Sequence, residues 1–116
     1  MAIENQSVVY LRACAVAWVS DEPQPGIVRV ELVDGDDNVW VFVDKTVMFE
    51  KDSDIWRRDT AFPIEIEIAC TVVGRLATTS GERIMVSTAK PWGIETQNGE
   101  SEFAFRSDQI HARGEA

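Results

Sequence analysis

Apolar and polar residues alternate with a period of two along most of this chain, and turn-forming residues mark the interruptions. In Pro63–Val73 three isoleucines alternate with Glu65 and Glu67, and Gly26–Val33 repeats the same arrangement. Successive side chains of a β-strand point to opposite faces, so this period is typical of half-buried strands and not of helices. The pattern therefore predicts an all-β protein.

The interruptions between these segments predict antiparallel hairpins. A first strand over Ser7–Val19 is apolar on both faces, which predicts a central or strongly bent strand covered from two sides. The final hairpin is expected to join Ile94–Thr96 to Glu102–Arg106, and the chain from about residue 107 to 116 is expected to be a frayed tail. Glycine allows the positive φ that tight turns need, and three glycine-bearing turns separate the strands: Asp34-Gly35, Thr78–Gly81 and Gln97–Gly99.

The number and spacing of the strands predict the architecture. Residues 1–116 are expected to form a single all-β domain, because a chain of this length buries one core but not two. About five to seven short strands joined by tight turns favour a small, partly open barrel of the SH3-like or OB-like type. A split β-sandwich is the second choice. Closure of the sheet would also hide the edges that a flat sheet of this apolar character would expose.

The charge balance bears on the class of partner. The chain carries 20 acidic and 11 basic residues, for a formal net charge of −9. An acidic surface repels phosphate backbones, so general nucleic-acid binding is disfavoured. The excess of carboxylates either serves solubility alone or steers the chain to a basic protein partner.

The N-terminal region and the cysteines bear on location. The first residues have no basic region, and the most apolar early stretch, Val8–Val19, is short and interrupted by Arg12, so neither a signal peptide nor a membrane span is predicted. Cys14 and Cys70 both lie in apolar strand patterns and are expected to be buried, reduced thiols. A cytoplasmic protein with no membrane contact is the resulting prediction.

Candidate catalytic and metal-binding patterns do not hold up. The segment Asp34–Asn38 has the spacing that begins an EF-hand calcium loop, but Val39 and Lys45 occupy the positions that need glycine and a bidentate glutamate. Turn chemistry explains the segment instead. The one histidine, His111, falls in the predicted tail without a ligand cluster, and no nucleophile or phosphate-binding motif occurs. We therefore predict no catalytic residues, no metal and no cofactor.

The four tryptophans are the most informative side chains. Trp18 and Trp40 fit strand periodicity and are predicted to lie in the core. Trp56 and Trp92 fall where the alternation lapses, in loops that also carry acids, and a loop aromatic surrounded by charge has the composition of an interface anchor. The predicted protein-binding surface consists of Trp56, Trp92, Asp52, Asp54, Asp59 and Glu95.

Several short motifs occur together in this chain: Asp34-Gly35 with Trp40-x-Phe42-x-x-Lys45, a strand that ends at Cys70, Lys90-Pro-Trp-Gly93-Ile-Glu95, and Gly99-x-x-x-Phe103 with Gln109. In this combination the chain resembles small uncharacterised bacterial all-β proteins over about residues 28–110. The resemblance implies a bacterial, single-domain all-β protein. No established activity comes with it, so it assigns no functional residue.

The function predicted from these observations is a non-enzymatic protein-interaction domain, of an immunity or adaptor type, that uses an acidic surface against a basic protein partner. One alternative is a small-ligand-binding barrel or an enzyme with its site at the barrel mouth. A further alternative is a binder of single-stranded nucleic acid, for which Arg57, Arg58 and Lys90 are the basic residues near loop aromatics.

Overall fold

The computed structural model describes residues 8–22, 26–49 and 61–111, whose strands form one antiparallel sheet. The sheet curls into an open half-barrel, which confirms the prediction of an all-β fold with a small, partly open barrel. None of the helices in the three described ranges is long and apolar enough to cross a membrane. The strands are β1 (Val8–Ser20), β2 (Ile27–Val33), β3 (Val39–Lys45), β4 (Ile64–Thr78), β5 (Gly81–Ser87), β6 (Glu102–Phe105) and β7 (Ile110–His111).

The long strand β1 organises the sheet, whose order is β3-β2-β1-β4-β5-β6 with β7 also paired to β1. β1 pairs with β4 along Val8–Ala15 and with β2 along Cys14–Ser20. β4 also pairs with two strands, since its first half pairs with β1 and its second half pairs with β5. Register shifts within both strands mark bulges, which increase the local twist and bend a sheet. The first strand is therefore central and bent, as predicted, but it is not covered from two sides, because Arg12 and Cys14 on its convex face are exposed.

The core lies on the concave face of the sheet, where the alternating apolar residues meet. Ile66 and Ile68 are buried as the alternation predicts, and their neighbour Glu65 is exposed. Phe103 of β6 makes edge-to-face ring contacts with Trp40 and Phe42 of β3, at centroid distances of 5.1 and 5.8 Å. These contacts bring the two terminal strands of the sheet together across the core.

Backbone hydrogen bonds complete the closure between β3 and β6. The Gly35 amide of the β2–β3 turn donates to the Ala104 carbonyl at 2.9 Å, and the Gln97 amide donates to the Val41 carbonyl at 3.2 Å. A Cβ atom at Gly35 would lie 2.9 Å from the Arg83 side chain and 3.0 Å from the backbone nitrogen of Arg106. Glycine is needed here because the turn packs directly against backbone.

One predicted strand is wrong. Ile94–Thr96 forms no strand, and β6 pairs with β5 instead. The turn predicted at Gln97–Gly99 does form, with the Gly99 amide donating to the Thr96 carbonyl at 2.9 Å. The physical reason is that Ile94 is fully buried in the core, so the segment folds inward over the barrel end instead of running along β6.

The predicted frayed tail from residue 107 is also corrected over its described part. Ser107–Gln109 forms a 3₁₀ turn, and β7 follows it and pairs with β1 in the register Tyr10 to His111 and Leu11 to Ile110. Ile110 is partly buried and packs against the core, which holds the segment in place. Residues 112–116 lie outside the described ranges.

The two cysteines differ, contrary to the prediction that both are buried. Cys70 is buried in the core, whereas Cys14 is exposed, and both are free thiols. The strand partners of Cys14 are Glu31 on β2 and Glu65 on β4, which places it in a polar row on the convex face of the sheet. The apolar character of β1 on both faces concealed this outward orientation.

Candidate functional site

Trp92 and Glu95 lie on the segment that joins β5 to β6, residues 88–101, which we call the Trp92 loop. Both side chains are exposed, Trp92 to 44%. The other predicted members of the binding surface, Trp56, Asp52, Asp54 and Asp59, lie outside the described residues. The structure therefore places two of the six candidates, both on the same loop.

Buried hydrogen bonds fix the base of the Trp92 loop. Thr88 is fully buried, and its hydroxyl donates to the Ile94 carbonyl at 2.7 Å. The Ile94 amide donates back to the Thr88 carbonyl at 3.0 Å, and the Thr88 amide donates to the Ser101 carbonyl at 2.8 Å. Because Ile94 itself is an apolar anchor in the core, the five residues between Thr88 and Ile94 form a short outward excursion that carries Trp92.

Thr96 organises the second half of the loop. Its amide donates to the Glu100 carbonyl at 2.8 Å, and its hydroxyl accepts from the amides of Glu100 and Asn98 at 3.0 and 3.3 Å. Gly99 adopts a φ of 84°, the left-handed conformation that the turn requires. These hydrogen bonds hold the second half of the loop in a tight turn.

The charges on and beside the Trp92 loop are mostly negative. Glu95 and Glu100 on the loop and Glu102 at the start of β6 are all exposed, and no described residue forms an ion pair with any of them. Lys90 is the basic residue of the loop. Exposed carboxylates that form no ion pair with the described residues attract cationic groups at long range.

The β2–β3 turn, which had the partial EF-hand spacing, uses its first carboxylate internally. Asp34 is buried, and its Oδ1 atom accepts from the amides of Asp36 and Asn38 at 2.8 and 3.0 Å. Its Oδ2 atom accepts from the Asn38 side-chain amide at 3.1 Å and from the Trp40 indole at 2.9 Å. These contacts make Asp34 a structural acceptor that fixes the turn and the Trp40 ring.

Burial alone would raise the pKa of Asp34, but the hydrogen bonds from Trp40, Asp36 and Asn38 outweigh it and hold the pKa below its ordinary value.

The β2–β3 turn is also attached to β5, because the almost fully buried Arg83 side chain donates to Asp36 at 2.9 Å. Sequence reasoning missed this role of Arg83. The one available signal was an arginine in a predicted strand two residues after the glycine of a turn, Gly81.

A cleft of about 340 Å³ lies between the end of β2 and the 3₁₀ turn at Ser107–Gln109. Its floor is apolar, from Leu11, Ala13 and Phe105, and Cys14 lies at its side. Each acid that lines it has an arginine of its own, so the rim offers no uncompensated charge. These ion pairs are Arg12 with Glu65 at 3.9 Å, Arg29 with Glu31 at 3.5 Å and Arg106 with Asp108 at 3.2 Å.

His111 was expected to lie in the frayed tail, and the structure corrects this by placing it in β7. Its side chain is 12% exposed, and its Nε2 atom lies 2.5 Å from Oε2 of Glu67 on β4. The contact crosses β1, because His111 is the strand partner of Tyr10 and Glu67 is the partner of Arg12. Within the described ranges, no three histidine, cysteine, aspartate or glutamate side chains are grouped so that they could hold a metal ion.

Comparison with known proteins adds no relative, since no family model, no curated protein and no solved structure matches this chain.

Proposed function

We propose that this protein is a non-enzymatic interaction domain, of an immunity or adaptor type, that binds a basic protein partner through the Trp92 loop. The observation that supports this most is the exposure of a large aromatic side chain on a loop whose backbone is held by buried hydrogen bonds. Tryptophan is among the residues that contribute most to protein interfaces when a partner covers them.

The rigidity of the loop supports binding in a second way. A loop that must become ordered on association loses conformational entropy, which weakens the complex. Thr88 and Ile94 hold the base of the Trp92 loop in one conformation before any partner arrives. The backbone that carries Trp92 is therefore anchored at its base, so that covering the ring by a partner would require less ordering of the loop.

The charge around the loop supports a basic partner. The carboxylates of Glu95, Glu100 and Glu102 would face cationic groups on an approaching protein, and the net charge of −9 would steer such a protein over longer distances. A phosphate backbone would meet repulsion at the same surface, which argues against the nucleic-acid alternative.

The cysteines bear on where the protein acts. Both are free thiols, which suit a reducing compartment, and we propose a cytoplasmic location.

The small-ligand alternative depends on the cleft beside Cys14. Its apolar floor would accept a small molecule, but the paired charges at its rim provide no strong recognition group. We therefore favour the Trp92 loop as the functional surface.

The test compares protein captured from lysate on the immobilised wild-type chain with that on Trp92→Ala and on Leu76→Ala. Leu76 is 50% exposed on β4 and serves as the control for loss of an exposed apolar side chain elsewhere. We expect a basic protein to be retained by the wild type and by Leu76→Ala, and Trp92→Ala to bind the purified partner about 30-fold or more weakly. Equal binding by all three chains, or capture of no basic protein, would contradict the proposal.

A second pair of variants separates steering from anchoring. Glu95→Gln and Glu100→Gln should slow association of the captured partner and flatten its dependence on salt, while the dissociation rate stays nearly constant. Stopped-flow association at two salt concentrations measures this. An unchanged association rate would mean that the acids of the loop do not face the partner.

A further inference from the structure

The outer face of β3 carries a row of valine side chains. Val39, Val41 and Val43 point away from the core, because Phe42 between them is fully buried in it. Val33 of β2 is the strand partner of Val39 and lies on the same face. Val39 is 56% exposed, and Val33 is also exposed. We call these four residues the valine stripe.

The valine stripe adjoins the Trp92 loop. The Gln97 amide of the loop donates to the Val41 carbonyl at 3.2 Å, which brings the turn at residues 96–100 against β3. This bond uses a backbone group at the outer edge of β3, so the surface that β3 offers to a partner is its row of side chains. The loop that carries Trp92 therefore continues directly into an apolar surface.

A protein interface needs more surface than one loop provides. Stable interfaces bury about 800 Å² on each partner, and a tryptophan side chain supplies at most about 250 Å² of this. A partner that covers Trp92 must therefore also cover neighbouring surface. The valine stripe is apolar and partly or fully open to solvent, and it is continuous with the loop.

Carboxylates border the valine stripe on two sides. Glu100 belongs to the turn that contacts Val41, and Asp37 lies in the turn that leads into Val39. Both are exposed, and neither forms an ion pair with any residue of the described ranges. A second copy of this chain would bring the same carboxylates and a net charge of −9 to this face, so like-charge repulsion opposes self-association. A basic segment has the complementary charge.

We propose that the valine stripe binds an extended segment of the basic partner, in which apolar and cationic side chains alternate. This inference rests on the proposed function, because it extends the surface of the Trp92 loop. Alternate residues of a strand are about 7 Å apart, so alternate side chains of an extended segment match the spacing of Val39, Val41 and Val43. The intervening lysine or arginine side chains are long enough to bend toward Glu100 and Asp37 at the border.

Two synthetic peptides of equal length and charge test this inference. The probe alternates lysine with valine, and its control alternates lysine with serine. Fluorescence anisotropy of each labelled peptide measures its affinity for the full-length wild type, for the double variant Val39→Thr with Val41→Thr, and for Val73→Thr. Threonine is β-branched like valine and is well accepted in strands, so the fold should be retained. Val73 is an exposed valine of β4 and supplies the matched control.

We expect the wild type and Val73→Thr to bind the lysine–valine peptide about tenfold more tightly than the lysine–serine peptide, and the double variant to lose about fivefold of this preference. Equal affinity of the wild type for both peptides, or an undiminished preference in the double variant, would overturn the inference. Val39→Thr alone, at the most exposed valine of the stripe, decides the question if the double variant does not fold.

A second measurement separates this inference from the proposed function. The basic partner captured by the wild type is titrated against the double variant and against Trp92→Ala. We expect both chains to bind it more weakly than the wild type does. Loss of affinity in Trp92→Ala alone would overturn the inference and leave the proposed function intact, whereas full affinity in Trp92→Ala would contradict the proposed function itself.

Discussion

The β2–β3 turn and the Trp92 loop both combine a glycine turn and acidic residues with a tryptophan, Trp40 at the start of β3 and Trp92 within its loop, yet the two tryptophans are placed in opposite ways. Trp40 packs against Phe103 and donates to the buried carboxylate of Asp34. Trp92 lies 44% exposed, and the buried polar contacts of its loop are made by threonines instead. Trp40 is thus held by the core and by a buried acid, whereas the Trp92 ring is partly exposed on a loop whose acids are also exposed.

The two cysteines give a second contrast, between a buried and an exposed side chain. We expect this contrast to have the largest effect of those predicted here, a difference in the rates at which the two thiols react. Burial raises the pKa of Cys70 to about 12, so its thiolate is scarce and its sulfur inaccessible in the native state. Cys14 is exposed. Titration with a disulfide reagent should find one thiol that reacts in the folded protein and a second that reacts about a thousandfold more slowly, as access requires unfolding. Fast reaction of both thiols would contradict the burial of Cys70, and Cys14→Ser identifies which one reacted.

Replacing each tryptophan by alanine tests the main comparison directly. Trp40→Ala removes a ring contact and a hydrogen bond to Asp34, so we expect a loss of about 3 kcal/mol in the free energy of unfolding. Trp92→Ala should change it by less than about 1 kcal/mol, because the ring is largely outside the core. Urea denaturation curves measure both losses. Equal losses would mean that Trp92 is a structural plug of the barrel and not an interface residue.

Replacing an aspartate by asparagine tests whether the buried Asp34 of the β2–β3 turn contributes more to stability than the exposed Asp37 of the same turn. Asp34→Asn places an NH₂ group against donors that now point at a carboxylate, and we expect it to cost about 2 kcal/mol of unfolding free energy. Asp37, which is exposed in the same turn at a φ of 67°, supplies the control, since asparagine also tolerates that conformation. Asp37→Asn should cost less than about half a kcal/mol. A similar cost for both variants would show that the turn depends on its charge and not on the contacts of Asp34.

The last prediction concerns how the contribution of Asp34 to the free energy of unfolding changes with pH. The pKa of Asp34 is lower in the folded protein than the ordinary value of 3.8, so its ionised form favours folding. This stabilisation is complete above the ordinary value and is lost as the pH falls through the lower, folded-state value. The stability difference between the wild type and Asp34→Asn should thus narrow as the pH falls from 6 to 3, which urea denaturation at the two pH values measures. A difference that stays constant over this interval would rule out the ionised carboxylate as the acceptor.

The alternation along the chain determined much of the fold. It assigned most of the strands, the buried face with Ile66 and Ile68, the outward position of Glu65 and the glycine turns, because these features depend on side chains a few residues apart. The alternation lapses around Trp92, but the sequence left open whether this residue is exposed, and the structure shows it 44% exposed. Its role in binding a partner remains a prediction.

Other features depended on contacts between distant segments and were decided by the tertiary structure alone. Alternation cannot indicate which face of β1 is covered, because both faces are apolar, and so Cys14 was wrongly placed inside. Ile94 forms no strand because its side chain is buried in the core at the end of the barrel. His111 is ordered because its strand pairs with the edge of β1 and its side chain contacts Glu67. Local sequence describes the two faces of each strand, whereas the curvature of the whole sheet decides what lies against them.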